Sequence, residues 1–103
     1  AMVMNMAVSN PKKHLAQKLA IYIDQERFDL ASSLETPIRQ FGVYEDDKVK
    51  YAMAYTYLKQ GNYDYSLNLL KEIKNEKLIS KSVKLMDLVQ ECKASDWECY
   101  GTL

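Results

Sequence analysis

Four groups of residues in this 103-residue chain have side chains that could act on a ligand, and their neighbours decide what each can do. His14 is the single histidine. A metal site needs several His, Cys or Asp ligands at short spacing; none stands near it, so it reads as an exposed first-turn residue. Cys92 and Cys99 lie seven residues apart with no histidine nearby. They read as one core thiol and one tail thiol rather than a zinc or redox pair. Glu45, Asp46 and Asp47 are consecutive acids. General acid–base work would need them in a cleft with displaced pKa values, whereas acids at a helix start are explained by the helix dipole. Lys71, Lys74, Lys77, Lys81 and Lys84 form a basic stretch, but Glu72, Glu76 and Asp87 interrupt it. That mixture fits a solvated helix surface better than a nucleic-acid site. No phosphate loop, nucleophile elbow or dinucleotide fingerprint is present. The reading is therefore a non-enzymatic chain with no catalytic residue, no metal and no cofactor.

The aromatic residues remain. The chain has eight tyrosines, and Tyr51 and Tyr55 are four apart, so on a helix they stack along one face. Tyrosine supplies a large contact area at small entropic cost, with a hydroxyl for orientation. Such a pair suits binding, provided helices hold it at the surface.

Composition favours those helices. Only three Gly and two Pro occur, and 48% of residues are hydrophobic, which argues for one domain with short connections and against disorder. The 14 basic and 14 acidic residues cancel, so no global attraction to nucleic acid or anionic lipid exists. No apolar run approaches the roughly 20 residues that span a bilayer. Two cysteines make no disulfide framework, and the default is a reducing, cytoplasmic or cytosol-facing setting. Residues 1–9 read as an N-terminal tail, whose first residues, Ala1 to Met6, are in part a cloning remnant.

The pattern predicts a helical domain over residues 10–94. Ser9 or Asn10 can cap a first helix with Pro11 at its first position, and Leu15, Leu19, Tyr22 and Ile23 share its inner face. A second helix starts near Arg27; Pro37 should kink or end it near Glu35–Thr36. A third fits Asp46 to Lys59, with Val49, Ala52, Met53, Thr56 and Tyr57 inside. Tyr63 to Leu69 alternates as a half-buried strand would, but the alternation fails at Leu70, and Tyr63, Leu67, Leu70 and Ile73 fit a helix stripe instead. A last helix is expected from Ser80 to about Ala94, capped by Ser80 or Ser82, with Val83, Met86 and Val89 on one face and Leu85, Leu88 and Cys92 beside them. Residues 95–103 form a C-terminal tail.

Phe28-Asp29 and Tyr63-Asp64 lie 35 residues apart, each after a helix and a polar elbow. Ala31 then aligns with Ser66, Leu34 with Leu69, Ile38 with Ile73 and Tyr22 with Tyr57, which describes a repeated helical hairpin over 10–43 and 46–75. The stretch "AMAYTYLKQGNYDYSLNLLKEI" resembles the tetratricopeptide repeat (TPR) family. Ala54 and Ser66 match its small crossing positions, Tyr57, Tyr63, Leu70 and Ile73 its large ones, and Gly61 its turn glycine. Phe28 and Ala31 match in the first hairpin, where Glu26 replaces the turn glycine, Leu19 a small residue and Glu35 an apolar one, and Pro37 interrupts the second helix. The usual closing Pro is replaced by Val43 and Leu78.

The resemblance implies an all-α, antiparallel, superhelical stack of about five helices, with residues 80–94 as capping helix. It also implies a concave groove lined by the first helix of each hairpin. By register this presents Lys48, Tyr51, Tyr55, Leu58 and Lys59 from the second hairpin. The first hairpin offers Lys13, Ala16, Ala20, Ile23 and Asp24. The occupant would be an apolar or amphipathic protein segment; the alternative is that the last helix folds back over the tyrosines. Tyr51 and Tyr55 stand where the family's clamp for an acidic C-terminal tail has Lys and Asn, which argues against that ligand. The C-terminal half is also similar to the cytosolic domain of the mitochondrial fission adaptor family, which would imply a tail-anchored adaptor. A small secretion-type chaperone wrapping a partner helix is a further alternative. Two hairpins and a cap are near the minimum for stability, so reliance on a partner, self-association as a homodimer, or membership of a longer array would follow.

Overall fold

A computed structural model describes residues 11–94, where all regular structure is helical. Helix α1 (Pro11–Asp24) is followed by two short helices, α2 (Phe28–Ser32) and α3 (Glu35–Gln40), and a 3-10 turn (Val43–Glu45). Helices α4 (Asp47–Lys59), α5 (Tyr63–Lys71) and α6 (Glu76–Ala94) complete the order. The five-helix plan holds except that the second helix is split into α2 and α3. The alternating segment from Tyr63 is helix α5, as its stripe requires. Of the expected caps, Ser9 and Asn10 lie outside the described residues.

The split comes one to three residues earlier than expected. Ser33 N–H donates to Asp29 O four residues back, and Leu34 N–H to Ala31 O three residues back, at 3.2 Å each, so the last turn tightens at Leu34. Pro37 has no N–H to give Ser33 O, so the helical ladder is interrupted there. In the first turn of α3 that missing donor costs nothing.

The two elbows share one hydrogen-bond scheme. Arg27 N–H donates to Tyr22 O (2.8 Å), and 35 residues on Asn62 N–H donates to Tyr57 O (2.9 Å). Glu26 N–H to Ile23 O (2.9 Å) recurs as Gly61 N–H to Leu58 O (3.1 Å). Both turns need a left-handed residue: Gly61 has φ +82° and Glu26 φ +58°. Glycine meets that demand without a Cβ clash, and glutamate does not.

Helix α6 begins a full turn before the expected Ser80. Asn75 caps it, its Oδ1 accepting from Lys77 N–H at 2.9 Å. Ser80 and Ser82 are therefore interior rather than caps; the buried Ser82 hydroxyl donates to Leu78 O at 2.8 Å. The acid run that precedes α4 is also structural. Asp46 Oδ1 caps α4 through Lys48 N–H (2.9 Å). Asp47 Oδ2 accepts from Lys74 N–H (2.9 Å) and Asn75 N–H (2.8 Å), tying the start of α4 to the start of α6. Burial acts against ionising Asp47, but those two backbone bonds and Lys50 outweigh it and hold its carboxyl below the usual range.

Helix α4 is the centre of the molecule. It packs between α1 and α6, with α2 set against α1 and α4, and α5 against α4 and α6. The repeat positions supply that packing. Ala31, Ala54 and Ser66 are fully buried, Tyr57, Leu70 and Ile73 nearly so, and Phe28 and Tyr63 half so. The Ser66 hydroxyl donates to Ala54 O at 2.7 Å across the α4–α5 crossing, where only small residues allow such approach. On α6 the buried stripe is Ser82, Leu85, Val89 and Cys92. Val83 was expected inside but is 46% exposed, on the outer side with Ile79.

Candidate functional site

Residues two apart on a helix face different ways, while those four apart share a side. Helix α4 uses this to place its tyrosines on two surfaces. Tyr57 turns inward toward α3 and α5. Tyr51 and Tyr55 turn toward α1, and α6 flanks Tyr51 on its other side; both rings are half-buried.

The outward side is a run of shallow cavities. Ala20, Ile23 and Asp24 of α1 and Tyr51, Ala52 and Tyr55 of α4 line one of about 340 Å³. It continues into a second of about 240 Å³, to which Ala16, Ala20, Lys48 and Ala52 contribute. Tyr51 is also a wall of a third, about 210 Å³, completed by Lys81, Lys84, Leu85 and Leu88 of α6. The alanines keep the floor low, so α1 and α4 leave a trough between them rather than an interdigitated seam.

Most of the residues expected in a groove meet here: Ala16, Ala20, Ile23, Asp24, Lys48, Tyr51 and Tyr55. Lys13 lies at the adjoining hollow of about 550 Å³, beside Lys12, Gly42 and Glu45. Leu58 does not belong. It is 2% exposed and part of the core; at the same end of α4, Gln60 Nε2 donates to Phe28 O (3.2 Å) and Ser32 Oγ (2.9 Å), which ties α2 to α4. Lys59 lines none of these cavities. Its ammonium sits over the rings of Tyr55 (5.6 Å) and Phe28 (6.0 Å), which meet edge to face.

Three features were not read from the sequence. Ala52 faces the trough instead of the core. Lys81, Lys84, Leu85 and Leu88 join Tyr51; their i, i+3, i+4, i+7 spacing was the available signal. The third is a polar hub on the opposite side of α4. The Glu35 carboxylate accepts hydrogen bonds from the hydroxyls of Tyr44 (2.5 Å), Tyr57 (2.9 Å) and Tyr65 (2.7 Å), and from Arg39 Nε. Arg39 also donates to the Tyr65 hydroxyl and lies over the Tyr44 ring. Burial raises the Glu35 pKa, but the bonds from Tyr44, Tyr65, Tyr57 and Arg39 together hold it below the usual range. Burial and the same carboxylate push the phenols of Tyr44 and Tyr57 upward. A carboxylate so fully engaged is kept ionised and has little capacity left for a ligand. The hub joins α3, the 3-10 turn, α4 and α5, and its role is to hold them.

The other candidates have structural surroundings. His14 is exposed. Cys92 is fully buried and disulfide-bonded, not the free core thiol expected; this removes the argument from free thiols to a reducing compartment. Cys99 lies outside the described residues. Among those residues no helix is long and apolar enough to cross a membrane.

The chain matches no family model, no curated protein and no solved structure.

Proposed function

We propose that this is a non-enzymatic interaction module of TPR-like architecture, whose trough along α1, α4 and α6 takes an apolar or amphipathic helical segment of another protein. The single observation behind it is the pair Tyr51 and Tyr55, half-buried beside an alanine floor and lining the open cavity between α1 and α4. Repetition of the elbow scheme at 35 residues supports the repeat architecture. A peptide helix about 10 Å wide would lie along such a trough with apolar anchors at i, i+3 and i+4 spacing.

Ala20→Arg tests it. Ala20 is exposed and borders two cavities of the trough, so an arginine there fills the floor without entering the core. Anisotropy of a fluorescein-labelled synthetic helix of about five turns, with a Leu stripe and neutral Gln and Ser flanks, should show binding to wild type and a loss of about tenfold or more in Ala20→Arg. Undiminished binding would remove the trough as the site. Light scattering completes the test: a wild-type dimer that Ala20→Arg dissociates would make the occupant a second copy of this chain.

A further inference from the structure

Resting on the trough as the binding site, we infer that its partner is an acidic amphipathic segment, with carboxylates that meet the lysines of α4 and α6. The chain as a whole is neutral, so a local excess of one sign has to come from placement. Lys81 and Lys84 border the cavity that Tyr51 shares with α6, and Lys48 borders the neighbouring one between α1 and α4. Among the described residues the ion pairs are made elsewhere: Lys12 with Glu45, Arg39 with Glu35, Lys50 with Asp47 and Lys93 with Asp64. All three trough lysines are exposed and make no such pair.

Two carboxylates share the lining. Asp46 is already engaged as the α4 cap. Asp24 lines the cavity of Ile23, Tyr51 and Tyr55 on the α1 side, whereas Lys81 and Lys84 line the cavity on the α6 side of Tyr51. The charge thus changes across Tyr51, and the α6 side is cationic. A helix with an apolar stripe would rest on Tyr51 and Leu88, with acidic side chains at its edge facing the lysines. Exposed pairs of this kind add little affinity each but select between partners and speed encounter.

The test uses three labelled peptides with the same Leu stripe and with neutral, Glu-rich or Lys-rich flanks, each helical by circular dichroism. The Glu-rich peptide should bind wild type about tenfold more tightly than the Lys-rich one, with the neutral peptide between them. The preference should shrink as salt rises from about 50 mM to 500 mM, since screening shortens the reach of exposed charges. Lys81→Glu/Lys84→Glu should weaken the Glu-rich peptide about three- to tenfold more than the neutral one. Both positions are exposed, and an unchanged melting curve confirms folding.

Equal binding of the three peptides, or a Lys81→Glu/Lys84→Glu variant that keeps the preference, would overturn the inference and leave the proposed function standing. Failure of all three peptides to bind would overturn both. Anionic vesicles or a single-stranded oligonucleotide competing with the Glu-rich peptide at equal charge would assign the lysines to phosphate instead, and would also overturn it.

Discussion

The two hairpins follow one plan and depart from it to different degrees. In the second, Gly61 takes the left-handed elbow position and α5 runs unbroken from Tyr63 to Lys71. In the first, Glu26 is forced into the same conformation, and the second helix is divided before Pro37. The irregular hairpin is also the one that carries a charge inward. Glu35 stands 35 residues before Leu70, an apolar core residue of the second hairpin, and Tyr44, Tyr57 and Tyr65 converge on it. Two of those tyrosines come from the regular hairpin, so the hub fastens the irregular unit to the regular one. Deviation from the repeat is a joint in this case, not erosion.

The largest expected effect comes from breaking that joint. Glu35→Leu restores the apolar residue of the pattern but removes the acceptor for three phenols and an arginine. Leaving half-buried donors without partners should cost about 2 kcal/mol, read as a lower urea midpoint. Adding Tyr44→Phe, Tyr57→Phe and Tyr65→Phe to the same chain should recover at least half of the loss, because removing both sides of a buried hydrogen bond is far cheaper than removing one. If the four-fold variant is no better than Glu35→Leu, the hub does not join the hairpins in the manner described.

A pH titration sharpens the same point with a smaller effect. The folded pKa of Glu35 is lowered from its ordinary 4.5. A depressed carboxyl contributes stability that is fully present above the unfolded value and is lost as pH falls through the folded one. Asp47 is shifted in the same direction from 3.8 and adds to the slope. Stability should therefore be flat from neutrality to about pH 5.5 and fall below it. Glu35→Gln should reduce the slope below that point. An unchanged slope in Glu35→Gln would show that the hub is not stabilised by the carboxylate's charge.

Much of the fold was legible because its signals are local. Pro11 marked the start of α1, Asp46 the start of α4, and Gly61 the elbow. The errors have long-range causes. The early start of α6 rests on the local Asn75 cap together with Asp47, far back in sequence, which holds Lys74 and Asn75. The burial of Leu58 depends on the elements packed around α4, which the register of α4 cannot report. The trough itself was mostly readable, since Ala16, Ala20, Tyr51 and Tyr55 keep helical spacing. Its basic edge was not, because Lys81 and Lys84 look like ordinary surface charges until α6 is set beside Tyr51.

The smallest effect separates the two elbows. A side chain at Gly61 would touch nothing within 4 Å, so Gly61→Ala tests backbone conformation alone. Holding an alanine in the left-handed region costs about 1 kcal/mol, partly offset by the lower entropy of the unfolded chain. Glu26→Gly is the reverse experiment. It relieves a similar strain and gives back part of the gain to chain entropy, leaving a net stabilisation of about 0.5 kcal/mol. At 4–8 °C per kcal/mol for a domain of roughly this size, the melting temperature should rise by about 2–4 °C in Glu26→Gly and fall by a comparable amount in Gly61→Ala. Opposite signs would establish that both hairpins turn through one left-handed geometry, met by the fitting residue in only one of them. A loss in both variants would mean that Glu26 earns its place through its side chain, and the elbows would be alike in hydrogen bonding but not in strain.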